Sequence, residues 1–229
     1  MEAVPLSRAE GAATCPLCES PMFGWLDLPA EGSSASVGMP VETEDATVVD
    51  RCEDCGAAVV RDPAPVDLDA ELEALVDPER EVLVAPNRAS VQAAIGSEGW
   101  AGLRELPGRL LHTRRSLALL AERTGTAITE PASPPVGRSQ RWMWQTLVNA
   151  LTLHPNFATR ALVGDLRPAG GRGRIAFGID AVVTVLAAPL VALVSFPLEL
   201  IAALLGRGGV LEARIEGGRR AQAGPAGSS

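Results

Sequence analysis

The chain has 229 residues, room for one ordinary domain and a small module, and its 20 basic and 28 acidic side chains are unevenly placed. Residues 1–80 hold 18 acids and 4 arginines and the remainder 10 acids and 16 arginines, so the net charge of −8 conceals an acidic third and a basic rest, with different partners expected for each. No basic, apolar leader opens "MEAVPLSRAEGAAT", so no signal peptide is expected; the cysteines then belong in a reducing compartment, which argues against disulfides.

The first element carries the clearest chemistry. Four cysteines fall as "CPLC" (Cys15, Cys18) and "CEDCG" (Cys52, Cys55, then Gly56), with none elsewhere. Two C-x-x-C knuckles in one short segment have the spacing of a structural Zn site, because a two-residue gap lets both thiolates of a knuckle face one ion. Four sulfur ligands close the tetrahedron and leave no position for a reacting water. Residues 1–62 are therefore read as a zinc ribbon, with a redox pair or unrelated thiols as the alternatives. Between the knuckles a loop and one strand, "ATVVD", are expected. Glu44, Asp45, Asp50, Glu53 and Asp54 would repel phosphate, so nucleic acid is disfavoured as a partner, leaving protein, a small molecule, or folding alone.

Residues 63–80 form an acidic connection in which Leu68, Leu72 and Leu75 share one side of a short helix closed by Asp77-Pro78. Val82, Leu83, Val84 and Ala85 then read as a buried strand that runs into Pro86-Asn87, with Ser90 capping the following helix. Thr113 caps a further helix, Gly125 ends it, and "TAIT" (126–129) is expected as another strand. The fold class expected is α+β: a zinc ribbon, a partial α/β region over residues 81–135, and hydrophobic helices towards the C-terminus.

Taken in order, "CPLC", "RCEDCGAAVVRDPAP", "EVLVAPNRAS", "GWAGLRELPGRLLHTRRSLALLAERTG" and "LLGRGGVLEARI" resemble the class I S-adenosylmethionine-dependent methyltransferases that carry an N-terminal zinc ribbon. In that family a late strand ends in Pro-Asn. A Trp and a Pro-containing loop follow, then a T-x-x-S-L helix and a closing GRG-D-x-L segment. The resemblance covers the ribbon and the C-terminal half, and it implies a Rossmann-like layer in which "GVLEARI" closes the sheet beside the late strand. The cofactor half is what it does not cover. A glycine-rich turn after a first strand and an acidic residue after the second, with their elements, take roughly 100 residues. Between Cys55 and Glu81 there are 25, and no G-x-G-x-x-G follows a strand. The histidine of the family's Pro-Arg-His-Leu loop falls here on Gly108 or Arg109. S-adenosylmethionine is therefore not expected as a cofactor, its binding residues are undefined, and no catalytic residue is assigned.

His112, at a helix start, and His154, before Pro155, have no cysteine or carboxylate at catalytic spacing and read as structural or exposed; Ser90 and Ser116 read as caps or packing. Residues 136–175 are read as an amphipathic helix and a Gly/Arg linker. In that helix Trp142 and Trp144 beside Arg138 and Arg141 suit either a membrane surface or the edge of a core. Residues 181–198 carry no charge. Eighteen helical residues span ~27 Å against a hydrocarbon core of ~30 Å, so residues 176–206 are read as membrane-inserted, with Asp180 and Glu199 near the ends. Pro189 and Pro197 favour broken helices, and a monotopic hairpin bending near Pro189 would let the closing strand return to its sheet. Arginines flank both sides, so charge selects no orientation. Residues 207–229 hold the closing strand and a disordered tail.

The expectation is a degenerate, non-catalytic scaffold or binding protein with structural zinc, a ribbon in the cytoplasm and a membrane as partner; a protein partner is compatible with it. Two alternatives are a methyltransferase whose cofactor site is completed by a second chain, and a membrane protein whose ribbon is a docking module.

Overall fold

The computed structural model describes residues 13–28, 47–134, 137–154, 157, 160–161 and 170–216. The tail expected to be disordered, the long loop between the knuckles, and Glu44 and Asp45 lie outside the described residues. The architecture is mixed α+β with two antiparallel sheets and one long apolar C-terminal helix.

The first sheet has the order β1 (Met22–Leu28), β2 (Thr47–Cys52), β3 (Ala58–Val60), β6 (Leu110–Leu111). Met22 lies opposite Cys52, so the register brings both knuckles to one end of the β1–β2 ladder. β1, "MFGWLDL", was not expected as a strand; its buried and exposed positions follow no clean alternation. β6 comes from beyond the ribbon segment and pairs through Ala58 with Leu111 and Val59 with Leu110, so the ribbon sheet is continued by the rest of the protein.

The second sheet has the order β4 (Val76–Asp77), β5 (Val82–Pro86), β7 (Val210–Arg214). The apolar run of β5 is central, and β7 lies against it from Val82 opposite Arg214 to Pro86 opposite Val210. The "TAIT" strand is corrected: Ile128 makes only an isolated bridge to Ile215, and the chain leaves the edge of β7 before rejoining it at Ala132.

Local chemistry starts the helices. α1 (Leu68–Leu75) begins at Asp67, whose carboxylate accepts from the amides of Asp69 and Ala70. α2 (Val91–Gly96) is capped by Ser90 through the amide of Ala93; a 3-10 turn and the short α3 (Ala101–Arg104) follow. α4 (Arg114–Arg123) has a reciprocal capping box between Thr113 and Ser116, and Gly125 (φ 64°) turns the chain out of it. The capping roles account for both serines.

α5 (Arg138–Asn149) and α6 (Gly170–Leu204) lie antiparallel, as their contacts run from Ser139 with Glu199 through Gln140 with Ser195 to Trp144 with Ala188. α5 is in turn packed on the globular part: Trp142 is buried with Ala101, Val210 and Val84, and Thr146 Oγ1 accepts from the amide of Ala101. Here the structure corrects three expectations. α6 is one continuous helix of 35 residues rather than a pair broken at its prolines, and residues 170–175 belong to it rather than to a linker. Both prolines sit on its exposed face, while α5 grips the opposite face on either side of them; Trp144 Nε1 reaches Ala188 O just before Pro189, and Ser139 meets Glu199 just after Pro197. That packing offsets the hydrogen bonds proline removes. Finally, Asp180 and Glu199 do not end a span. They lie inside α6 and are fully buried against protein.

Candidate functional site

The four cysteine sulfurs all lie within 4.8 Å of one another and could hold a metal ion. Cys15 and Cys55 sulfurs are 3.6 Å apart, Cys18 and Cys52 sulfurs 3.4 Å. Tetrahedral coordination with metal–sulfur bonds of ~2.3 Å requires sulfurs ~3.8 Å apart, whereas a disulfide needs ~2.05 Å, so the donor set fits an ion and not a covalent bridge. Burial pushes the Cys15 and Cys55 thiols up. Burial acts in the same sense at Cys18, but hydrogen bonds from the backbone and hydroxyl of Ser20 and from Cys52 and Cys55 outweigh it and bring that thiol to about 6. A dication would supply the compensation that the buried sulfurs lack.

Residues beyond the ribbon segment hold this cluster in place. Thr113 Oγ1 donates to Cys55 O (2.7 Å), Arg88 Nε to Gly56 O (2.7 Å), and Arg123 Nε to Leu17 O (3.1 Å). Gly56 adopts φ 74°, and a Cβ there would come within 2.8 Å of Thr113 Cγ2, so this turn requires glycine twice over. Cys15, Cys52 and Cys55 share one apolar core with Leu83, Leu117, Leu120 and Leu211. The cysteine cluster is thus packed into the globular core.

The Rossmann-like layer that the resemblance implied is not seen among the described residues. The segment after β5 is a capped six-residue helix, and every ladder in both sheets is antiparallel; among the described residues the one parallel pairing is the isolated bridge of Asn87 and His112. Among the described residues no parallel strand–helix–strand crossover occurs.

His112 is fully buried, with neither ring nitrogen hydrogen-bonded among the described residues, and burial pushes it down to about 4. It is therefore neutral in the fold. A neutral imidazole held below its unfolded value of ~6.5 adds stability that is complete above that value and is lost as pH falls towards 4. Between pH 7 and pH 5 urea unfolding of the zinc-loaded protein should lose about 2 kcal/mol more than that of His112→Leu. Equal slopes for the two proteins would mean that the imidazole is not held neutral.

His154 was read as lacking a carboxylate partner, and here the structure supplies one 26 positions away: Asp180 Oδ2 lies 2.6 Å from its Nδ1, while the Asp180 carboxylate also accepts from the amides of Leu153 (2.7 Å) and His154 (3.0 Å). This ties the turn after α5 to α6 and presents no nucleophile.

The remaining feature is α6 itself. The side turned to α5 is mostly polar or small, with Asp180, Val191, Ser195, Glu199, Ala202 and Ala203 buried. The other side exposes Ile179, Val182, Val185, Leu186, Leu190, Leu193, Phe196 and Ile201 to solvent. Its most apolar 18-residue window has a mean hydropathy of 2.3, so by length and composition the helix could cross a membrane. No family model, curated protein or solved structure matches the chain.

Proposed function

We propose that the protein is a non-catalytic, zinc-stabilised scaffold that lies on a membrane through α6, with its ribbon on the cytoplasmic side. Residues 81–135 are the remnant of a methyltransferase-like domain, a reading supported by the antiparallel pairing of β5 with the closing strand β7.

One observation carries the membrane assignment: the patterning of α6 is inverted relative to that of a soluble helix, with carboxylates inside and leucines such as Leu186 and Leu193, each 73% exposed, outside. Contiguous exposed apolar surface on this scale marks an interaction site. α6 is ~52 Å long, well beyond a ~30 Å hydrocarbon core. Its C-terminal half rests on α5, and α5 rests on α2 and α3, so lipid cannot surround that half. The helix therefore lies along the interface with one face in lipid, as monotopic helices do, rather than crossing it. Zinc suits the four-sulfur donor set of a closed structural site.

Vesicle flotation tests this reading. Zinc-loaded full-length protein should float with phosphatidylcholine vesicles. Leu186→Ser/Leu190→Ser/Leu193→Ser should bind at least tenfold more weakly with its near-UV circular dichroism unchanged, since each buried leucine contributes about 1.5–3 kcal/mol. A wild-type protein that ignores vesicles and forms a dimer broken by the same substitutions would assign the face to a second copy instead.

A further inference from the structure

A cavity of about 630 Å³ opens where α6 ends. Its wall includes Arg88, Arg114, Arg115 and Arg207 together with the ring of Trp25, and no aspartate or glutamate lines it. None of the four arginines has a carboxylate partner among the described residues, although Arg61, Arg80, Arg123 and Arg141 each have one. Three are fixed by backbone carbonyls instead. Arg88 Nε donates to Gly56 O with its guanidinium 4.9 Å from the Trp25 ring centre, Arg115 Nη1 donates to Asp54 O (2.9 Å), and Arg207 Nε to Ala89 O (3.4 Å). The guanidinium of Arg114 lies against Gly206, where a Cβ would be 2.7 Å from Nη2. Carbonyls orient the groups without neutralising them, and each guanidinium has more donors than these contacts use. Four like charges in one recess repel each other until an anion enters, and guanidinium forks match phosphate oxygens.

The geometry points to a binding site for a phosphate-bearing anion. Its place in the fold selects the source. Leu204 and Leu205, 76% and 71% exposed, end the apolar face, and Gly206 and Arg207 immediately after them form the cavity wall. If α6 lies at the acyl boundary as proposed above, the cavity stands at headgroup level, and the ligand is the phosphodiester of an anionic phospholipid. This source rests on the membrane reading; the anion site itself does not.

The test uses zinc-loaded full-length protein and Arg114→Gln/Arg207→Gln, both residues being exposed. Arg80→Gln/Arg214→Gln makes the same charge change at the opposite end of β5. Wild type and the control should bind vesicles containing phosphatidylglycerol at least tenfold more tightly than pure phosphatidylcholine vesicles. The Arg114/Arg207 variant should lose that preference and keep its binding to phosphatidylcholine. If no vesicle binds, yet glycerol 3-phosphate raises the Tm of wild type and not of the Arg114/Arg207 variant, the anion site holds with a free phosphate ester as ligand and the membrane reading fails. If phosphatidylcholine binds but neither phosphatidylglycerol nor glycerol 3-phosphate distinguishes wild type from this variant, the anion site is overturned and the membrane reading survives.

Discussion

Replacing Cys52 with serine is expected to lower Tm by about 10–20 °C and to abolish stoichiometric metal binding. Structural zinc contributes about 10–16 kcal/mol in small peptides that are unfolded without it. Here the apolar core would retain part of the fold, so a loss of about 5 kcal/mol is the reasonable expectation, and for a chain of this size that corresponds to the stated shift. Cys52 is fully buried with its sulfur 3.4 Å from that of Cys18, which leaves serine no way to reach the ion at sulfur's bond length. The damage should also spread. Because the knuckles share a core with Leu83 of β5 and Leu211 of β7, amide exchange in the second sheet should accelerate along with that in the ribbon. Exchange confined to residues 13–28 and 47–60 would show a separable module instead. A chelator assay identifies the ion, since zinc is released colourless while a tetrathiolate iron absorbs visibly.

What the sequence made legible was whatever depends on neighbours in the chain. Two-residue cysteine gaps, the Ser90 and Thr113 caps and the Gly125 stop are each determined within a few positions, and each is found in the structure. What stayed hidden depends on distant partners. The prolines of α6 suggested a break because the packing of α5 against the opposite face leaves no local trace. Asp180 and Glu199 looked like the flanks of a span, since neither His154 nor Ser139, 26 and 60 positions away, could be matched to them from spacing. β1 escaped because "MFGWLDL" is a strand held by β2 rather than by its own alternation. The arginines of the cavity come from three separate stretches, and only the fold brings them together.

Glu199→Ala is expected to destabilise the protein by about 2–4 kcal/mol, because it removes the charged acceptor shared by three buried donors, of which Gly209 N and Gln92 Nε2 keep only their bonds to Ser139. The carboxylate receives the hydroxyl of Ser139, the amide of Gly209 (3.0 Å) and Gln92 Nε2 (2.6 Å), so α2, α5, α6 and the loop before β7 meet at one side chain. No cation is paired with it among the described residues, so these donors alone offset its burial. Glu199→Gln keeps one acceptor oxygen but adds a donor among donors, and should lose about 1.5–3 kcal/mol. The ranking alanine, then glutamine, then wild type in urea midpoint is the measurable signature. Flotation separates anchoring from membrane affinity: the apolar face is untouched by either change, so α6 should still bind vesicles while limited proteolysis cuts between it and a loosened globular part. If Glu199→Ala matched wild type in stability, the polar seam would not be what fastens α6 to the domain, and contacts such as Phe157 with Phe177 and Trp144 with Ala188 would have to hold the two together.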